Sequence, residues 1–339
     1  MKAFVRTKNK NILLNEIPEV FILNDNEVKI ALEYSSFCRD DMRFEDDSDI
    51  FSYIGTLGHE GVGRVTEVGS AAFYNGFKVG DRVLIIPWHF CGECEMCLEQ
   101  KIHYCAEAHI AMGTMAQYVV RKYTHLIKIP DKMTYKQAIL IEPLGCVLEG
   151  ISKLDIDFDK EVLVIGAGLI GIIFIHLLKK KGVKNITVIE PIPERQKLAK
   201  AFGADNVIDL NSSNLQLKLS EFSNFRGFDI AIETSSNIQM LKEATNTLTK
   251  GGTLMIFTYY GSSEHITFSA LDMYASNLSV IWSSFCSLPN FYKSIDIIMR
   301  TKFDSLITKE FDFKDITKAL EKFKTFDYIK IGIKNFNLL

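Results

Sequence analysis

The sequence predicts an α/β protein in which a doubly wound parallel sheet is joined to a mostly β domain carrying a metal-knit lobe. Three observations carry this expectation. Between about residues 145 and 286, short apolar runs alternate with helical patterns. A parallel sheet with helices on both faces reads this way. Before about residue 144, short strand patterns are separated by turns such as Glu67-Val68-Gly69-Ser70 and Val79-Gly80-Asp81, which suits a barrel-like β domain. Within that first part, Cys91, Cys94, Cys97 and Cys105 fall inside 15 residues as a C-x₂-C-x₂-C-x₇-C run. The expected division is 1–144 for the β domain with its lobe at 90–106, 145–286 for the parallel sheet, and 287–339 for a tail returning to the first domain.

Composition narrows the class. The 339 residues carry a net charge of −3, which offers no basic surface for nucleic acid. The opening stretch, MKAFVRTKNKNILL, lacks the apolar core and cleavage site of a secretory leader. Val162 to Leu178 is the longest apolar stretch, but Gly166, Gly168 and Gly171 interrupt it and charges flank it. A membrane span needs about 20 mostly apolar residues, so a buried strand running into a helix is expected. Seven cysteines without a leader point to a reducing, cytoplasmic setting and to metal work rather than disulfides.

The cysteine run is the sharpest local signal. Three thiolates two residues apart wrap a small loop around one ion, and a fourth closes a tetrahedral S₄ shell. Zn²⁺ prefers that shell, which leaves no place for substrate, so a structural zinc is expected. An iron–sulfur cluster is the rival reading, but those runs usually continue with Cys-Pro, and Cys105 is followed by Ala106. Unliganded or disulfide-bonded thiols are the third reading.

The stretch VLVIGAGLIGIIFIHLLKKKGVKNITVIE comes next. Val162–Ile165 reads as a buried strand, 172–181 as a helix, and Ile186–Ile189 as the following strand. Between the first strand and the helix lies Gly166-x-Gly168-x-x-Gly171, spaced by Ala167, Leu169 and Ile170. The first glycine suits a tight turn, the second a close approach of pyrophosphate, and the third close packing of helix on strand. The helix N-terminus then faces the phosphates. The second strand ends at Glu190, 19 residues beyond Gly171, placed to accept hydrogen bonds from the adenosine ribose. Together these predict a Rossmann nucleotide site; glycines used only for packing would be the plain alternative. A carboxylate at 190 repels a 2′-phosphate and favours NAD over NADP. Arg195 lies five residues on, where an arginine can accommodate that phosphate or simply be a solvated charge. Further strands are expected at 206–208, 228–233, 253–257 and 279–282.

A third set is scattered. Cys38 lies in FCRDD, His59 and Glu60 in GTLGHEGVGRV, and Glu142 in LIEPLGC, with Cys146 four residues later. Thiolate plus imidazole is a normal zinc pair, and a third protein ligand with an open position makes such a site catalytic. Glu142, Glu60 and Cys146 are the candidates for third ligand. Taken singly, each has a plainer reading as a small core residue or a hydrogen-bonded core group.

The order of these motifs resembles the zinc-dependent medium-chain dehydrogenase/reductases, especially their polyol (sorbitol-type) and threonine dehydrogenases. Gly80-Asp81-Arg82-Val83, Phe202-Gly203-Ala204-Asp205, Lys250-Gly251-Gly252 and a terminal strand near 329–333 extend the likeness almost end to end. The resemblance implies a GroES-like catalytic domain beside the Rossmann domain. It implies two zinc ions per chain, one catalytic and one structural, with NAD as cofactor and a homodimer or homotetramer as assembly. It further implies hydride transfer between NAD(H) and a small secondary alcohol or ketone, such as a polyol or sugar alcohol. Cys38 and His59 fall on catalytic-zinc ligands, Glu60 on the acidic position beside the metal, and Glu142 on the third ligand of polyol-type enzymes. Arg39 matches a position that contacts pyrophosphate, and Asp41 one that orients ligands. The chain departs from its relatives at Asp40, where a Ser or Thr is usual, and at Arg43, where many have His. The usual proton relay is therefore missing: either Asp40 takes the proton itself, or water does, or the protein departs from simple alcohol oxidation, and an Asp40–Arg43 ion pair is the plainer reading of these two residues. A catalytically weakened nucleotide-binding relative, or a reductase of another activated carbonyl, are the alternatives.

Overall fold

The computed structural model describes residues 1–9, 11–39, 41, 54–261 and 263–334. The chain divides into two compact units, one of residues 1–142 and 286–339, the other of 143–285.

The strands in chain order are β1 (Lys2–Arg6), β2 (Ile12–Glu16), β3 (Glu27–Ser36), β4 (Gly55–Thr56), β5 (Glu60–Val68), β6 (Arg82–Ile85), β7 (Trp88–His89), β8 (His109–Ile110), β9 (Tyr118–Lys122) and β10 (Leu126–Lys128). Then follow β11 (Glu161–Ile165), β12 (Asn185–Ile189), β13 (Asn206–Ile208), β14 (Phe228–Glu233), β15 (Leu248–Ile256), β16 (Ser279–Trp282), β17 (Ile307–Asp312) and β18 (Lys330–Lys334).

The first unit is mostly β. Its main sheet runs β10-β6-β5-β3-β18-β17, with β9 also paired to β3; a smaller sheet runs β2-β1-β4. The ten-residue β3 organises it: its full length pairs with β5, its first half with β9, and its last residues with β18. Alternation along β3 sends Val28, Ile30 and Leu32 into one core with Phe4, Val83 and Ile85. Phe313, Leu320, Phe323, Ile331 and Ile333 from the tail join the same core. Phe37 stacks on Phe323 with ring centroids 5.4 Å apart, so the last segment is part of the unit's interior.

The second unit is a six-stranded, fully parallel sheet in the order β13-β12-β11-β14-β15-β16. β11 (EVLVI) is buried throughout, as a strand covered on both faces must be. The α/β class and the doubly wound sheet match the sequence expectation. Two elements begin well ahead of the expected residue, each for a local reason. The first helix spans Leu169–Lys180 and so begins directly after Gly168, with Gly171 inside its first turn. β15 begins at Leu248, ahead of the expected 253, because it continues through Lys250-Gly251-Gly252 with a register shift against β14; glycines often mark such irregularities. Among the described residues, no helix is long and apolar enough to cross a membrane.

Candidate active site and metal centres

The four-cysteine lobe lies between β7 and β8. Cys94 starts the one-turn helix Glu95–Leu98, and the turn Ile102–Tyr104 brings Cys105 back. All four Sγ atoms lie within 4.8 Å of one another. Cys91 Sγ is 3.8 Å from Cys97 Sγ and 3.6 Å from Cys105 Sγ. Thiolates bound at about 2.3 Å around tetrahedral Zn²⁺ stand roughly 3.8 Å apart, so the cluster has the dimensions of that shell. None of the seven cysteines is joined in a disulfide, which removes the disulfide reading. The backbone N–H groups of Glu93 and Cys94 pull the Cys91 thiol down to about 7, while burial pushes Cys97 up to about 12.

The second donor cluster is assembled from distant segments. Cys38, His59 and Glu60 place their ligand atoms within 4.8 Å of one another. Cys38 follows the end of β3, and His59 precedes β5 on a segment whose glycines permit close approach. At Gly58 a side chain would collide with Met115, and the Gly58 carbonyl accepts from Gly113 and Thr114 N–H. Asp41 braces both ligands: its Oδ2 accepts from Cys38 N at 2.8 Å, and its Oδ1 lies 3.1 Å from His59 Nδ1. That leaves His59 Nε2 as the nitrogen for a metal. Burial disfavours a charged His59, but the Asp41 carboxylate overrides it and, with Cys38, holds the imidazole pKa well above its ordinary value.

Glu60 accepts from Lys330 Nζ and from Ser36 Oγ. Lys330 is buried; desolvation works against its charge, yet Glu60, then Cys38 and Glu142, keep its pKa above the usual value. Glu142 is buried near the start of the helix Ile141–Ser152 but does not join the 4.8 Å group, and neither does Cys146 farther along that helix. Arg39 lies with its guanidinium 3.3 Å from the Phe326 ring centroid. Asp40 and Arg43 lie outside the described residues.

In the second unit, Gly166 adopts φ +93° in the turn after β11. A side chain at Gly168 would enter open space, whereas at Gly171 it would meet the Gly166 carbonyl at 2.0 Å. The turn therefore combines tight helix packing with an open cradle at the helix N-terminus, and its donors suit an anion such as pyrophosphate. Leu169 and Ile170 begin that helix. Glu190 is buried, accepting from Ala167 N at 2.7 Å and Ile192 N at 2.9 Å. It thus holds the glycine turn itself, and each oxygen keeps a lone pair for a further donor. Arg195 lies in the helix Pro193–Phe202. The Thr234 hydroxyl faces the carbonyls of Ile165 and Gly166 at 2.9 and 3.1 Å.

Sequence reasoning missed Lys330, Ser36 and Thr234. Lys330 is 270 residues from Glu60, and only strand pairing joins them, so no local pattern could have revealed it.

Residues 24–131 match the family model for the alcohol dehydrogenase GroES-like domain, and residues 170–300 that for zinc-binding dehydrogenases. The chain is 27% identical over 333 residues to sorbitol dehydrogenase of Bacillus subtilis, covering 95% of this chain and 93% of that protein. It is 33% identical over 261 residues to L-threonine 3-dehydrogenase of Xanthomonas oryzae, covering 74% and 75%. Among solved structures, a protein described as a zinc-binding dehydrogenase from Clostridium scindens superposes with a TM-score of 0.89 at 28% identity, covering 99% and 98%. An Escherichia coli alcohol dehydrogenase complexed with NADH superposes with a TM-score of 0.85 at 25% identity, covering 99% of each chain.

Proposed function

Since the chain belongs to the zinc-dependent medium-chain dehydrogenase/reductases, we propose that Cys38 and His59 hold its catalytic zinc and that it oxidises polyols or related secondary alcohols with NAD. The observation that carries the site is the thiolate–imidazole pair braced by one buried carboxylate, Asp41. When bound, zinc would polarise the substrate oxygen as a Lewis acid and nicotinamide would take the hydride. The chain's own residues do the rest. Asp41 fixes the ligands, Glu60 and Glu142 shape the field around them, and Cys91, Cys94, Cys97 and Cys105 hold a structural zinc away from the chemistry. The Gly166–Gly171 turn and the helix after it seat the pyrophosphate, with Leu169 and Ile170 N–H groups at its mouth and Arg39 and Arg195 as further contacts. Asp40 is the proposed proton acceptor. The domain division proposed for these roles is a catalytic part of 1–144 and 287–339 and a nucleotide part of 145–286.

Metal analysis and a panel of polyols, amino alcohols and phosphorylated sugars, followed by NADH formation, test this reading. Two zinc ions per chain with turnover of at least one secondary alcohol are expected. A zinc-loaded protein that oxidises none of them would count against it. Glu190 carries the cofactor preference. Glu190→Ser should weaken NAD and admit NADP, and a wild-type preference for NADP would overturn the assignment. Seven cysteines with no disulfide among them suit a reducing cytoplasm.

A homo-oligomer fits the second unit's edge. β16 pairs only with β15 among the described residues, its own Trp282 is exposed, and Leu271 and Tyr274 of the preceding helix, Ala270–Ser276, are exposed as well. Such an apolar edge invites pairing with a second copy. Trp282→Asp should shift sedimentation towards monomer; a wild-type monomer at micromolar concentration would exclude the assembly.

A further inference from the structure

Apart from the two donor clusters, three histidines gather at the base of the four-cysteine lobe. His89 ends β7 and His109 opens β8, and the two stand directly opposite in the antiparallel ladder. Their ring centroids are 4.6 Å apart, with the planes tilted by 31°. Cross-strand neighbours of this kind hold their side chains against each other. His125 packs on His89 with centroids 5.3 Å apart, and Phe90 stacks on His125 at 4.3 Å. Both His125 nitrogens are engaged: Nε2 accepts from Phe90 N at 3.2 Å, and Nδ1 lies 3.1 Å from the Thr124 hydroxyl. His125 is therefore a fixed, buried wall that limits the motion of His89.

The other two rings have nitrogens to offer. His109 Nδ1 lies 2.9 Å from the Glu107 carbonyl oxygen, which can only accept, so Nδ1 carries the proton and Nε2 the lone pair. A backbone carbonyl selects the ligand nitrogen of metal-bound histidines in the same way. His89 makes no side-chain hydrogen bond among the described residues. It is half-buried and His109 is exposed, so solvent reaches the pair. Two imidazoles bound at about 2.1 Å to one ion place their centroids roughly 4.5–5 Å apart, which is the spacing of this pair. Lys122 and Arg121 act on His89 as positive charges, opposed by Glu107. The local field therefore does not draw a cation, and imidazole lone pairs must. That chemistry disfavours Mg²⁺ and Ca²⁺, which take oxygen ligands, and suits Zn²⁺, Ni²⁺ or Cu²⁺. We propose that His89 and His109 form a third, exchangeable cation site, which takes one such ion between their imidazoles with water in its remaining positions. Bound there, the ion ties β7 to β8, the two-residue strands that pair at the base of the lobe.

The test is equilibrium dialysis of the zinc-loaded full chain against Ni²⁺, with nickel and zinc both counted on the retained protein. Wild type should take up one nickel per chain while its zinc stays. His109→Ala deletes an exposed ligand and should weaken that uptake by roughly 100-fold, because losing one arm of a two-armed chelate forfeits its effective concentration. His89→Gln should do the same, and His265→Asn, at another exposed histidine, should leave uptake unchanged. Cu²⁺ should bind more tightly than Ni²⁺ and Co²⁺ more weakly, the order expected of nitrogen ligands. A His109→Ala affinity within about threefold of wild type overturns the proposal. So does the absence of uptake at millimolar Ni²⁺, nickel uptake matched by zinc release, or competition by Mg²⁺. Should His89→Gln fail to fold, His109→Ala decides alone, since its ring is exposed. The catalytic reading stands or falls separately, because none of its residues is altered.

Discussion

The two donor clusters of the first unit are built on opposite plans. The lobe draws four like ligands from 15 consecutive residues, closes on itself, and recruits no buried charge from elsewhere among its described contacts. The Cys38–His59 cluster draws unlike ligands from the ends of two strands. It is surrounded by Asp41, Glu60, Glu142 and Lys330, all buried. A saturated, symmetric shell can only stabilise. An incomplete one needs neighbours to fix ligand orientation, balance charge and keep a position open. Surroundings, more than ligands, distinguish a centre for holding structure from one for doing chemistry.

The largest expected effect breaks the comparison at the incomplete site. His59→Ala should reduce turnover to background while NADH binding and the four-cysteine zinc persist. His59 is bonded within the first unit's cluster, to Asp41 and Cys38. Substantial turnover in the metal-analysed variant would remove the catalytic role.

The converse substitution is Cys94→Ser. It opens a shell with no substrate position, so it should act on stability first. Structural zinc contributes roughly 10–16 kcal/mol to such loops. Losing even about 4 kcal/mol of that should lower the melting temperature by roughly 8–16 °C for a unit of this size. Turnover per folded, fully metallated molecule should change by less than about threefold. A melting temperature and zinc content equal to wild type would show that the lobe does not depend on metal.

The same contrast explains what the sequence disclosed. The lobe and the Gly166–Glu190 segment were legible because their physics is local: turn, ligand spacing and strand–helix periodicity lie within about one supersecondary unit. The strands 206–208, 228–233 and 279–282 were legible for the same reason. The incomplete site was legible only as a set of suspects. Cys38, His59 and Glu60 could be named, but not that Glu60 is tied to a lysine 270 residues later. Nor did spacing show that Glu142 stands outside the 4.8 Å group. Glu190 was read as a ribose acceptor, yet its bond to Ala167 N gives it a second task in the glycine turn. These facts depend on pairing register and on which way a buried carboxylate turns, and local pattern encodes neither.

The smallest effect sharpens the comparison by altering the surroundings alone. Asp41→Asn leaves every proposed ligand in place but removes the charge that orients His59 and accepts from Cys38 N. Loss of such a partner typically costs 10–100-fold in metal affinity, while the lobe's zinc should be untouched. A second consequence works in the opposite direction. In the metal-free protein Asp41 raises the His59 pKa well above its ordinary value, so a metal must displace a proton and uptake improves as pH rises through that pKa. In the Asp41→Asn variant the imidazole should lose its proton more easily, and the pH dependence of uptake should move to lower pH. The cost in affinity should therefore be greatest at high pH, where proton competition is absent in both proteins, and smallest at acidic pH. Metal-binding titrations at several pH values check this. A uniform loss at every pH would mean that Asp41 orients the ligands without governing the proton on His59.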